Sequence, residues 1–242
     1  IVIDNLKDFT ILKTVIDDIT VFENGESNIQ SIEERVINQF SCSLKQVNDF
    51  AIEIESTPKD MLVIEAKDGQ LITSTFHVAP KIVNKEIVSD IEQDILKIVV
   101  VNRYHNAPIA KAFIKNIGLK SGAIASTVAH DSHNIICVGV NDEEICNAVN
   151  ALIECKGGIS VVDRQQKFVM PLPVGGLMSN ERAEDIACNY SMADQKAKEL
   201  GSKLSAPFMT LSFMALLVIP QLKLSDKGLF DGESFRFVDL YH

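Results

Sequence analysis

The run Ser126-Thr127-Val128-Ala129-His130-Asp131-Ser132-His133-Asn134 gathers two imidazoles, a carboxylate, hydroxyls and a carboxamide in one short stretch. An imidazole titrates near about 6.5 and can be donor, acceptor or metal ligand, and an adjacent carboxylate can fix its tautomer. His130, Asp131, Ser132, His133 and Asn134 therefore leave proton relay, hydrogen bonding to a heterocycle and metal ligation all chemically open. A plain hairpin turn favours Asn-Gly or Asp-Gly, whose backbones accept positive φ; two histidines and a carboxylate have no such turn chemistry. The plain alternative is that Asp131, Ser132 and Asn134 cap the loop's own backbone groups. Metal ligation is the weaker reading, because a lone His-x-x-His pair falls short of the three protein ligands of a catalytic zinc site. Cys-x-x-Cys, His-x-His, a nucleophile elbow, a P-loop and a dinucleotide fingerprint are all absent from the sequence.

Two further groups are secondary candidates. Arg103-Tyr104-His105-Asn106 follows a long apolar strand, at the end where α/β folds place ligand contacts. Arg103 could hold an acidic partner and His105 a polar one, or the cluster is simply the strand's exit into solvent. In Pro171-Leu172-Pro173-Val174-Gly175-Gly176-Leu177-Met178-Ser179 the pair Gly175-Gly176 permits close backbone approach to a ligand or another chain. The alternative there is a helix entry capped by Ser179 or Asn180. Phe208, Met209, Phe213 and Met214 share helical spacing, a stripe that usually belongs to a core.

The elements that would position these groups follow from periodicity. Ile1 to Ile3 and Thr14 to Phe22 read as short strands, with Asn24-Gly25 as a turn. Two strands cannot hold a core, so residues 1–25 are expected to be the edge of a sheet completed elsewhere. Residues 26–48, with Glu33, Glu34 and Arg35, read as a polar linker with one helical turn, and a second unit is expected over 49–242. Phe50, Ile52 and Ile54 alternate as a strand does, followed by strands over Met61 to Ala66 and Leu71 to Val78 about a Lys67-Asp68-Gly69 turn.

Ile95 to Asn102 reads as a long, largely apolar strand. Pro108 with Ile109, Ala112, Phe113 and Ile117 then predicts a helix closed by Gly118, and Ala123 to Ala129 a strand. The order recurs: a strand over Ile135 to Val140, a helix capped by Asn141 or Asp142 with stripe Ile145, Val149, Leu152 and Ile153, and a strand over Ile159 to Val162. The expected fold is α+β, a mixed sheet with split βαβ units whose helices share one face. A strand through Phe168 and Met170, a helix over 181–200, an apolar segment from Phe208 to Ile219 and a closing strand over Phe235 to Leu240 complete it.

Composition agrees with an ordered domain. Of 242 residues 46% are hydrophobic and 23% charged, which argues against a disordered or coiled-coil chain. Twenty-three Lys+Arg against 33 Asp+Glu leave a net charge of -10, which disfavours nucleic acid as a partner. The stretch from Ala206 to Pro220 is too short to span a bilayer, which needs about 20 apolar residues. Five scattered cysteines and no signal-like start predict a reduced, cytoplasmic chain, and the missing initiator Met a piece of a longer polypeptide.

Three runs in order carry a resemblance: Gly122 to Ile135, Leu172-Pro173 to Gly176-Leu177-Met178-Ser179, and Pro207-Phe208-Met209-Thr210-Leu211-Ser212-Phe213 on to Val218-Ile219-Pro220. Together they closely resemble the C-terminal region of adenine deaminases of the amidohydrolase superfamily, over about residues 49–242. Residues 1–25 resemble the last strands of the small β-sandwich that flanks the barrel in that superfamily. The resemblance implies hydrolysis of adenine to hypoxanthine and ammonia, with Mn or Fe divalent ions held by a barrel outside this chain and none held here. It implies adenine and the barrel domain or subunit as partners, a homo-oligomer, and His130 to Asn134 as a loop that helps bind the purine. Lacking the His-x-His pair and the eight βα units, this chain is expected to be inactive alone. Two other classes compete: a structural or oligomerisation module acting through residues 207–220, and a stand-alone metal- or purine-binding domain.

Overall fold

The computed structural model describes residues 1–30 and 36–241; residues 31–35, part of the expected linker and its helical turn, lie outside the described residues. The chain divides into two compact units, residues 1–35 and 36–242.

The first unit is an antiparallel meander of β1 (Val2–Ile3), β2 (Ile11–Ile16), β3 (Ile19–Glu23) and β4 (Glu26–Ser27). The single strand expected over Thr14 to Phe22 is in fact broken into β2 and β3. Asp17 and Asp18 have φ of 49° and 63°, and two consecutive left-handed residues make the tight turn whose twist suits a hairpin.

The second unit is built on β5 (Met61–Glu65), β6 (Ser74–Val78), β7 (Ile82–Val83), β8 (Glu86–Ile87), β9 (Ile95–Val101), β10 (Ala110–Lys115), β11 (Ala123–Ser126) and β12 (Ile135–Gly139). After α1 (Asp142–Cys155) come β13 (Gly158–Val162), β14 (Lys167–Pro171), α2 (Ala183–Glu199), α3 (Pro207–Phe213), β15 (Leu222–Ser225), β16 (Gly228–Asp231) and β17 (Arg236–Phe237). Eight strands form one mixed sheet in the order β14-β13-β11-β12-β9-β10-β5-β6, and only β10 with β5 is parallel. The small sheet β15-β16-β17 and the hairpin β7-β8 accompany it.

Residues 109–117 correct the expected helix. Ala110 to Lys115 form a central strand, antiparallel to β9 and parallel to β5. Ala110, Ala112 and Ile114 pack with Leu96, Ile98 and Val100 on one face, while Phe113 packs with Met61 and Val63 on the other. Ile109, Ala112, Phe113 and Ile117 satisfy helical spacing, while Ala110, Ala112 and Ile114 alternate with Lys111, Phe113 and Lys115 as a strand does, and pairing with two neighbours decides the outcome. Among the described residues there is therefore one split βαβ unit: β12 and β13 run parallel with β11 antiparallel between them, and α1 makes the crossover. The residues Phe50, Ile52 and Ile54 are buried as the alternation requires, but Val47–Phe50 is a 3-10 turn and no strand spans them. The expected closing strand shortens to β17 in the small sheet, although Leu62 N–H still donates to Leu240 O at 2.8 Å.

Both faces of the large sheet are covered, so the helices are not confined to one side. Ile145, Val149 and Leu152 of α1 cover Val99, Ala125 and Cys137. On the opposite face Ala193 and Ala197 of α2, Phe208 and Leu211 of α3 and Leu222 and Leu224 of β15 cover Ile98, Ile124 and Ile136. Asn141 caps α1, its Oδ1 accepting from Glu144 N–H at 2.8 Å, and Asp142 accepts from the buried ammonium of Lys97 at 2.5 Å. That ammonium also donates to Phe50 O at 3.0 Å, tying the 3-10 turn and the start of α1 to the central strand. Residues 36–46 lie against this unit: Ser41 N–H donates to Arg103 O and Lys45 N–H to Asn150 Oδ1, both at 2.8 Å.

Candidate functional site

The candidate site follows from one register. Ile135 at the start of β12 pairs with Val101 at the end of β9, so the residues leaving β9 and those entering β12 must meet beyond the sheet edge. Arg103 N–H accordingly donates to Asn134 Oδ1 at 3.2 Å, and Tyr104 O–H to Ser132 O at 2.9 Å. The strand exit after β9 and the 130–134 loop, which the sequence singled out separately, form one cluster.

The loop's two imidazoles occupy different settings. His130 donates its backbone N–H to Ser212 O at 3.1 Å, and its ring stacks on Phe213 with centroids 4.8 Å apart. His133 stands 5.7 Å from His130, edge to face. Its backbone is left-handed, φ 52°, and its N–H closes a turn on Ala129 O at 2.7 Å. Burial holds the His133 imidazole below its ordinary titration, His130 and Arg103 add to that, and Asp131 works against it. It is therefore neutral at pH 7, with one ring nitrogen a donor and the other an acceptor. Its Nδ1 is buried and has no partner. Asp131 and Ser132 are exposed, and Asn134 is buried with its Nδ2 donating to Ser132 Oγ at 3.2 Å.

Arg103 is buried, with 4% of its surface exposed. Nη2 donates to Tyr104 OH at 3.1 Å, and the guanidinium lies over the rings of Tyr104 and Phe40, 4.8 and 5.8 Å from their centroids. Nε and Nη1 have no partner. A buried cation with two idle donors is costly, and such groups are ordinarily satisfied. The space for the guanidinium exists because residue 176 is glycine: any Cβ there would overlap Nη1. Gly175 and Gly176, φ 65° and 71°, make the tight turn in which Val174 and Met178 exchange backbone hydrogen bonds. Thr127 Oγ1 holds that turn by donating to Gly176 O at 2.5 Å while accepting from Gly158 N–H at 2.8 Å.

The structure thus brings together His130, His133, Asn134, Arg103 and Gly176. Gly175 shares their turn but donates its N–H to Ile37 O, and His105 is exposed, engaged only through its backbone N–H with Asn102 Oδ1. Tyr104 and Thr127 lay inside the runs the sequence singled out but were given no role there, Phe213 was read as core, and Phe40 was missed. An aromatic directly after Arg103 was the one available signal; the others reach the cluster only through tertiary packing. Among the described residues no three His, Cys, Asp or Glu side chains gather as a metal site.

Fold and site define an α+β domain whose mixed sheet carries a buried arginine beside two half-buried histidines at one end of its central strands. Residues 70–236 match the family model of the adenine deaminase C-terminal domain, and the chain belongs to that family. It is 48% identical over 251 residues to an adenine deaminase of Methanosarcina mazei, covering 100% of this chain and 45% of the relative. The adenine deaminase of Borreliella burgdorferi is 46% identical over 242 residues, covering 99% of this chain and 44% of the relative. The chain thus spans less than half the length of the curated relatives it matches. Among the described residues no helix is long and apolar enough to cross a membrane.

Proposed function

We propose that this chain serves as the C-terminal part of a hydrolase that converts adenine and water to hypoxanthine and ammonia, and that its 130–134 loop contacts the purine. The observation that carries the reading is the set of idle buried groups at one loop: Nε and Nη1 of Arg103 and Nδ1 of His133. A purine offers what they lack. Its ring nitrogens accept from a guanidinium, its N–H and amino groups donate to a neutral imidazole, and its face stacks on an aromatic ring such as the Phe213–His130 pair. Arg103 and His133 orient the base in this reading, and His130 packs against it.

Activation of water and protonation of the leaving ammonia belong to groups outside this chain, as do the Mn or Fe ions expected there. Alone, the chain binds or closes but does not deaminate. His130→Ala and His133→Ala in the natural full-length polypeptide test the reading. For His133→Ala the loss of one hydrogen bond to the base, about 1.4 kcal/mol, is about a tenfold fall in kcat/KM with folding intact, and His130→Ala, which removes a packing surface, lowers kcat/KM as well. Unchanged kinetics overturn it.

One observation favours an assembly role as well. Met209 and Val218 are 53% and 61% exposed on the segment whose Phe208 and Leu211 are buried. Charged substitutions at Met209 and Val218 that abolish assembly while each folded copy keeps its turnover would support that second reading.

A further inference from the structure

At the other end of the same strands lies a second polar feature. Gly122 precedes β11, Val140 follows β12 and Asp163 follows β13, and beside them opens a cleft of about 400 Å³ lined by Lys120, Ser121, Asn141, Glu144, Asp163 and Arg164. That volume falls within the span of small-molecule sites. Two backbone constraints shape it. Gly122 has φ 70° and no room for a Cβ, which would overlap Val162 O, and Val140 N–H donates to Gly122 O at 3.0 Å.

Glu144 is the anomaly in this cleft. It is only 4% exposed, and its Oε2 is buried with no partner. A glutamate three residues after a helix cap ordinarily accepts the cap's backbone N–H, closing a reciprocal pair. Here Asn141 Oδ1 takes the Glu144 N–H, and the return bond from Asn141 to the Glu144 carboxylate is not made. The surrounding groups do not neutralise it either. Lys120 Nζ donates to Ile91 O at 3.1 Å rather than to this carboxylate, and Asp163 Oδ1 accepts from the N–H groups of Gln165 and Gln166 at 2.8 and 2.9 Å. The Arg164 charge favours the carboxylate but is the smallest of the influences on it. Desolvation, with Asp163 and Glu143 adding repulsion, raises its pKa.

A buried acceptor facing a cleft calls for a donor. A divalent cation would need more ligands than the described residues gather, whereas a nitrogen carrying N–H groups needs only one carboxyl and a cavity. We propose that this cleft binds a small nitrogen-donor ligand, an amine or amidine, through the carboxyl of Glu144. Asn141 and Ser121 line the remainder and supply polar contacts for the rest of such a ligand.

Calorimetry of acetamidine against the full chain tests this, with acetamide as the neutral isostere. Saturable acetamidine binding is expected, at least tenfold weaker for acetamide and for Glu144→Gln. Equal affinity in Glu144→Gln, or no saturation at millimolar acetamidine, overturns the proposal. A second measurement does not depend on that variant folding. Amide NMR shifts of the wild-type chain on adding acetamidine should cluster at residues 120–122, 141–144 and 163–165, and shifts confined to other regions overturn it.

Discussion

The guanidinium of Arg103 stands where a side chain on residue 176 would be, so Gly176 and Arg103 are sterically one choice. Gly176→Ala therefore meets two penalties. Its φ of 71° costs an L-residue about 1–2 kcal/mol, and the new methyl displaces Nη1. The expected outcome is a loss of more than that much stability in denaturant titration, greater than for Gly69→Ala, and a larger fall in kcat/KM of the full-length polypeptide than Gly69→Ala gives. Gly69, φ 67°, has nothing near its missing Cβ and isolates the backbone cost.

His133 makes stability depend on pH in a definite direction. Its folded titration lies below the ordinary value of about 6.5, so near and just below that pH the unfolded chain binds more protons than the folded one. The stability this contributes is present above about 6.5 and is lost as pH falls. His133→Asn keeps a residue that tolerates φ 52° and removes the proton. The difference in Tm between wild type and His133→Asn should shift against the wild type as pH is lowered from 7.5 to 5. A difference independent of pH contradicts the assigned environment.

Lys223 behaves in the same sense at higher pH. It is fully buried on β15, its Nζ donates only to Leu71 O at 2.6 Å, and burial lowers its pKa to about 8. In the unfolded chain the ammonium keeps its proton to about 10.4. Between pH 8 and about 10 the unfolded state binds more protons, and the lysine's contribution to stability rises with pH. Lys223→Met should lose that slope, as read by Tm across pH 7.5 to 9.5.

Asn141→Ala removes the acceptor that Glu144 N–H uses at the start of α1. A lost cap costs about 1 kcal/mol, and here the loosened turn also carries Asp142, the partner of Lys97. Chemical denaturation should show a loss of about 1 kcal/mol or slightly more, and Asn141→Asp should restore most of it.

Much of this molecule was legible from patterns that obey a single period. The apolar run over 95–101 and the stripe of α1 each admit one reading and are found where expected, and of the two caps the sequence offered, Asn141 or Asp142, Asn141 is the one formed. Residues 110–115 were not legible, because Ile109, Ala112, Phe113 and Ile117 satisfy helical spacing even though Lys111 and Lys115 alternate with Ala110, Ala112 and Ile114, and Pro108 imitates a helix start. The candidate site divides similarly. His130 and His133 stood out because their types do not suit a turn, and Gly176 because paired glycines signal close approach. That Arg103 fills the space left by Gly176, or that Glu144 lacks the bond its position invites, depends on distances between segments far apart in the chain. His105 looked equivalent to Arg103 in sequence, and only the turn on Asn102 shows that it faces solvent.

The most direct measurement follows the histidine ring nitrogens of the natural full-length polypeptide by ¹⁵N NMR while hypoxanthine is added to saturation. Contact between the loop and the purine predicts that the His133 Nδ1 resonance, assigned by its loss in His133→Asn, moves in proportion to bound ligand while that of exposed His105 stays fixed. A His133 resonance that does not move at saturation contradicts the account.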